Sequence, residues 1–135
     1  MRSGARSATD RIHVFGHSWG GLLGQLYAKA HPKRVASLVL CCSMANMRRN
    51  VAGMESNIPE DYLAHMSLDA PVPILQGEQD VIRETNALLA ERFPRATNVR
   101  IPDAAHCPWM EAPAAFSKAV LDFYRSVASA APGWA

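Results

Sequence analysis

The sequence is poor in the patterns that mark several function classes. It has three cysteines, an odd set, with Cys41 and Cys42 adjacent inside an apolar run and Cys107 far along the chain. Such a set does not make a disulfide framework. Reduced, buried, hydrophobe-like thiols in a cytoplasmic protein are expected instead. There is no Cys-x-x-Cys and no paired histidine spacing, so no metal site is expected. Neither sign of charge is in real excess: 14 Lys and Arg stand against 12 Asp and Glu, and the basic residues are scattered apart from Arg48-Arg49. A nucleic-acid partner is therefore not expected. Nothing reads as a membrane span, an internal repeat or a low-complexity tract. The opening Met1–Ser7 is basic and Ser-rich but has no amphipathic length, so it does not read as a targeting segment.

What is there reads as one globular domain over residues 1–135, with 49% hydrophobic and 19% charged residues. A chain of this size can bury roughly two-thirds of the surface its unfolded form exposes. Four apolar runs, at 12–15, 36–42, 72–76 and 97–101, alternate with helical patterns. That alternation predicts a parallel sheet covered by helices. Leu22, Leu23, Leu26 and Tyr27 form the first helical stripe, closed at His31-Pro32 because a residue before proline avoids the helical region. Ala87, Leu88, Leu89 and Phe93 form the second, ended by Pro94, and Phe116, Val120, Leu121 and Phe123 mark a last helix over about 111–130. Residues 43–70, with Met44, Met47, Met54 and Pro59, show weak periodicity and are expected to be a reduced lid or variable segment.

Gly16-His17-Ser18-Trp19-Gly20-Gly21 directly follows the first strand and opens the first helix. A serine on such a sharp strand-to-helix turn has its hydroxyl pushed above the carboxyl edge of the sheet, and glycines are expected where backbone crowds backbone. The backbone N–H of Trp19 is the expected oxyanion donor at the helix N-terminus. His17 is expected to support the turn. The alternative is a tight turn with an incidental serine.

A serine hydroxyl needs a base, and the base needs a group that sets its tautomer. In this arrangement the chain order is serine, acid, histidine. Asp80 follows the third strand, with Gly77 letting the chain turn over the sheet edge, and His106 follows the fourth. All three fall at carboxyl ends of parallel strands, where open α/β sheets place their sites. Asp80 as a helix cap is the competing reading, and Glu78 and Asp103 are the rival acids. His13, His31 and His65 are expected to be solvated or packing residues. Cys107 beside His106 is not expected to be the nucleophile, because neighbours in an extended loop point apart.

Three segments together resemble the α/β-hydrolase family, and within it the proline iminopeptidase-like serine hydrolases and their esterase-like relatives. They are Gly16–Gly21 with its continuation to Val35, then Pro73–Asp80, then Ala105–Glu111. Ser43-Met44-Ala45-Asn46-Met47 after the second strand is also similar to that group. The resemblance implies a serine hydrolase, acting through Ser18, His106 and Asp80 on an ester, an amide or an amino-terminal proline peptide bond, with no cofactor.

It also implies that the chain is the carboxyl-terminal half of such a fold: a three-layer α/β/α arrangement of about four parallel strands, without the early strands and the loop that supplies a second oxyanion donor. Losing one such donor costs about 10²–10³ in turnover. Glu55, Glu60 and Asp61 do not match the acidic groups that in iminopeptidases recognise a free amino terminus. The first strand would then expose an apolar edge, from which self-association is expected. A weakly active or inactive fragment serving as an interaction module is the alternative. Dehalogenases and epoxide hydrolases place aspartate where Ser18 stands.

Overall fold

The computed structural model describes residues 11–45, 62–63 and 66–130. A first βαβ unit comprises β1 (Ile12–His17), α1 (Trp19–Ala30), a 3-10 turn at Pro32–Arg34 and β2 (Val35–Cys41). A second comprises β3 (Pro73–Gly77), α2 (Thr85–Arg92) and β4 (Thr97–Ile101). Helices α3 (Pro108–Glu111) and α4 (Pro113–Ala130) complete the fold. The strands lie in the order β1-β2-β3-β4 and every pairing is parallel.

The period-two alternation of strand side chains builds a core on each face of the sheet. From β2, Leu38 and Leu40 join Ile74, Ala28, Leu89 and Phe93 beneath α1 and α2. Val39 and Cys41 point the other way and join Leu75 and Ile101, covered by Phe116, Val120 and Phe123 of α4. The strands β2 and β3 are thus buried on both faces, which is why they read as unbroken apolar runs. Each such Leu or Ile contributes about 1.5–3 kcal/mol by leaving water. This is the expected three-layer arrangement.

Polar side chains tie the layers together. Gln25 is fully buried. Its Nε2 donates to the Met44 carbonyl at 3.0 Å, and its Oε1 accepts from Arg92 Nη1 at 2.6 Å. Burial lowers the pKa of the Arg92 guanidinium from its ordinary value.

Some boundaries differ from the apolar pattern. The first strand runs on to His17, so the turn after it is narrower than expected. The last helical region is two helices, broken at Ala112 with φ −138°. The cause is Pro113: its ring disfavours helical backbone at the preceding residue. Of the expected lid, Met44 and Leu63 pack on Leu22 of α1, whereas Met47, Met54, Pro59, Glu55, Glu60 and Asp61 lie outside the described residues, as does His65. Among the described residues β1 pairs only with β2, and Ile12 and Phe15 on it are 42% and 41% exposed. No helix among them is long and apolar enough to cross a membrane.

Candidate active site

Ser18 joins β1 to α1 with φ 53° and ψ −122°. A non-glycine residue held there costs on the order of 1–3 kcal/mol and persists only where its surroundings over-determine it. They do. The Ser18 N–H donates to the Cys41 carbonyl of β2 at 2.9 Å, and the Ser18 carbonyl accepts from the Gly21 N–H at 3.0 Å and from Ser43 Oγ at 2.9 Å.

The crowding falls unevenly on the glycines. A Cβ on Gly16 would lie 2.4 Å from Gly21 Cα, and one on Gly21 would lie 1.9 Å from Ser43 Oγ. A Cβ on Gly20 would meet nothing within 4 Å. The expectation that the flanking glycines are required by backbone crowding is therefore corrected: Gly16 is, Gly21 is required by the Ser43 side chain instead, and Gly20 meets no crowding.

His106 lies in the loop between β4 and α3, and Asp80 in the loop after β3. The two loops are joined directly, with the Glu78 N–H donating to the Ile101 carbonyl and the Gln79 N–H to the Ala104 carbonyl, at 3.2 and 2.9 Å. Gly77 permits this approach, since a Cβ there would lie 2.0 Å from the Ala105 carbonyl oxygen. His106 Nε2 is consequently 2.9 Å from Ser18 Oγ, and its Nδ1 is 3.1 Å from Asp80 Oδ1.

Asp80 is fully buried, and its carboxylate also accepts from Gln76 Nε2 at 2.8 Å and from the Ile82 N–H at 3.1 Å. The helix-cap reading of Asp80 gives way, because the residue preceding α2 is Glu84. Of the rival acids, Glu78 is exposed, and Asp103 takes a left-handed φ of 56° in the exposed turn after β4.

His17 does more than support its own turn. Its Nε2–H donates to the His106 carbonyl at 2.7 Å, and its ring packs edge-on against Trp109. On the far side, Glu111 Oε2 accepts from the N–H groups of Ala105 and Cys107 at 2.9 and 3.0 Å. Gln76, Ser43 and Glu111 also support the site, and their residue types alone do not single them out. Their signals were a lone amide in a buried strand, a serine just past β2 and a carboxylate one helical turn beyond His106.

The remaining titratable groups stand apart. His13 Nδ1 meets Ser37 Oγ at 2.8 Å, and the His31 ring packs on Tyr27. The Cys42 thiol is pushed well above its ordinary range by its contact with the Cys41 side chain and by burial, which keeps it protonated and a poor nucleophile. Among the described residues, no three His, Cys, Asp or Glu side chains are grouped as metal ligands.

A hydroxyl, an imidazole and a buried carboxylate in series can move a proton off the hydroxyl while the carboxylate stabilises the resulting imidazolium. Trp19 is the first residue of α1, at the end of the helix that favours negative charge.

Comparison with known proteins agrees on the architecture. A family model described as the α/β-hydrolase fold matches residues 6–64. An uncharacterized peptidase, YtmA of Bacillus subtilis (strain 168), is 31% identical over 53% of this chain and 35% of its own length. An esterase from Thermogutta terrifontis superposes with a TM-score of 0.69 at 23% identity, covering 88% of this chain and 66% of the esterase. An α/β-hydrolase enzyme from a lagoon-sediment metagenome, MGS-MChE2, superposes with a TM-score of 0.68 at 23% identity, covering 87% of this chain and 62% of that one. The chain thus spans about a third of the curated relative and under two-thirds of MGS-MChE2.

Proposed function

We propose that this chain, which carries part of the α/β-hydrolase fold and is similar in sequence to that family over residues 6–64, is a serine hydrolase of carboxylic esters or amides. One observation carries the reading: His106 Nε2 lies 2.9 Å from Ser18 Oγ while Nδ1 lies 3.1 Å from Asp80 Oδ1. Those distances are within hydrogen-bond reach for a nucleophile, its base and the group that orients the base.

In acylation, Ser18 Oγ attacks the substrate carbonyl carbon as its proton passes to His106 Nε2. Asp80 holds the proton on Nδ1 and stabilises the imidazolium. The negative charge that gathers on the carbonyl oxygen is met by the Trp19 N–H at the start of α1. Collapse of the tetrahedral intermediate expels the alcohol or amine, which takes its proton from Nε2, and leaves an ester on Ser18. A water molecule, deprotonated by His106, then repeats the sequence and releases the acid.

The peptidase name of the Bacillus relative supports including peptide bonds among the substrates, and the resemblance of the Ser-Trp-Gly-Gly turn to the iminopeptidase group makes an amino-terminal proline peptide bond the one to try. A fluorophosphonate probe should label Ser18 in the folded chain, as located by peptide mass spectrometry. Ser18→Ala should abolish labelling and p-nitrophenyl ester hydrolysis together. Folded wild-type protein that resists the probe would overturn the reading, and a proline p-nitroanilide run in parallel separates peptidase from esterase.

A second reading is favoured by Ile12 and Phe15, exposed on a strand that pairs on one side among the described residues. Through that edge the chain associates with a second copy of itself as an interaction module. Sedimentation velocity should then show concentration-dependent dimers, reduced by Phe15→Lys. A monomer at all concentrations rejects this reading.

A further inference from the structure

We infer that Glu111 is a positioning residue for His106, acting through the backbone on either side of the imidazole. The inference rests on the proposed role of His106 as general base.

His106 sits in a short loop, and a loop alone does not hold a side chain to the sub-ångström tolerance that proton transfer needs. Here nearly every backbone polar group around it is held from outside. The Ala104 carbonyl accepts from the Gln79 N–H at 2.9 Å. The Ala105 carbonyl lies 3.5 Å from the Cys42 thiol. The His106 carbonyl accepts from His17 Nε2 at 2.7 Å. The two N–H groups that flank His106, those of Ala105 and Cys107, converge on one oxygen, Glu111 Oε2, at 2.9 and 3.0 Å.

A carboxylate accepting two backbone N–H bonds makes charge-assisted contacts, about twice as strong as neutral ones. Both N–H groups must point the same way to reach it, which fixes the Ala104–Ala105 and His106–Cys107 peptide planes, one residue before His106 and directly after it. With His17 pulling the intervening carbonyl the other way, the Cα–Cβ vector of His106 has one direction, toward Ser18 and Asp80. The simpler role for Glu111 is that of a helix cap: Cys107 precedes α3, and a glutamate side chain reaching back to that N–H is like a capping box displaced by one residue. A cap accounts for the Cys107 bond. It does not account for the bond to Ala105, which lies outside the helix on the other side of His106.

The test compares Glu111→Gln, Glu111→Ala and Glu111→Asp in the full chain. Glutamine keeps an acceptor oxygen at the same reach but without the charge, so it should retain the single ring tautomer and most of the wild-type labelling rate. Alanine removes both contacts, and aspartate is too short to keep both. In these two, labelling of Ser18 by the fluorophosphonate should slow about tenfold or more. Nitrogen NMR of the ring should change from one neutral tautomer, with the proton on Nδ1, to a mixture, and the Ala105 and Cys107 amides should lose exchange protection. Should the alanine variant fail to fold, the aspartate variant carries the same comparison.

A wild-type ring tautomer and wild-type labelling rate in the folded alanine or aspartate variant, with only the melting temperature lowered, would overturn the inference in favour of a plain cap. If the wild type itself is not labelled, the proposed reaction fails, and the ring spectrum still decides the role of Glu111.

Discussion

The His17 ring donates from Nε2 to the carbonyl of His106 at 2.7 Å, joining two residues 89 positions apart in the chain. The turn that carries Ser18 is thereby bonded to the loop that carries His106. Separation of hydroxyl and imidazole is set by this link as well as by the sheet beneath them.

His17→Ala should therefore affect chemistry more than fold. It leaves a half-buried carbonyl without its donor, which costs about 1–2 kcal/mol in stability. Labelling of Ser18 by a fluorophosphonate should slow about tenfold, because small misplacements of a base are expensive in rate. Stopped labelling time courses at a temperature where both proteins are folded measure this directly. An unchanged rate would show that the link does not set the geometry.

The glycines of the turn should separate cleanly. In Gly16→Ala the new methyl group would meet the backbone of Gly21 and Gly20 at 2.4–2.5 Å, so the turn must open, at a cost of about 1–3 kcal/mol or more. In Gly20→Ala the methyl group enters open space near the start of α1, and stability should hold or rise by up to about 1 kcal/mol. Urea unfolding of the two variants checks both signs.

Gln76 should matter through Asp80. Gln76→Leu removes a 2.8 Å donor from a fully buried carboxylate, and hydrogen bonds to charged groups contribute about 1.5–3 kcal/mol. Loss of about that much stability is expected, together with slower labelling of Ser18. A variant with wild-type stability would mean that water takes the place of the amide.

Stability should fall at alkaline pH because of Cys42. Its thiol is held well above the ordinary value of 9.0 in the folded chain by the Cys41 contact and by burial. The unfolded chain loses the proton from about that ordinary value upward, while the folded chain keeps it. The stabilisation is full below pH 9.0 and declines above it, by up to about 1.4 kcal/mol per pH unit for one group. Cys42→Ala should flatten that decline, as measured by thermal unfolding between pH 8 and 10.5. Tyr124, raised by burial, adds a decline of the same sign that this variant leaves in place.

Much of the fold, and the meeting of Ser18, Asp80 and His106 at one sheet edge, could be read from residue order. Strands buried on both faces must be apolar throughout, so 36–42 and 72–76 stood out, and the observed β2 and β3 differ from those runs by a residue at each end. The ends shifted because a strand stops where its hydrogen-bonded neighbour stops, which a run of side chains does not record. Ser18, Asp80 and His106 were legible because a parallel sheet brings successive loops to one edge, whatever the exact register.

The supports of the site were not legible, and the reason is physical. Glu111, Gln76 and Ser43 are ordinary polar residues whose meaning lies in which backbone group they face, and that depends on how α3 leaves the sheet and on how closely two loops approach. Gly20 looked as necessary as Gly16 because a sequence shows a residue's lack of a side chain, not the space around it. Residue types and their order along the chain determined the layers, the strand sequence and the three side chains that meet at one sheet edge. The tertiary structure alone decided which contacts hold those groups at 2.9 and 3.1 Å, since hydrogen-bond reach is set by packing between segments far apart in the chain.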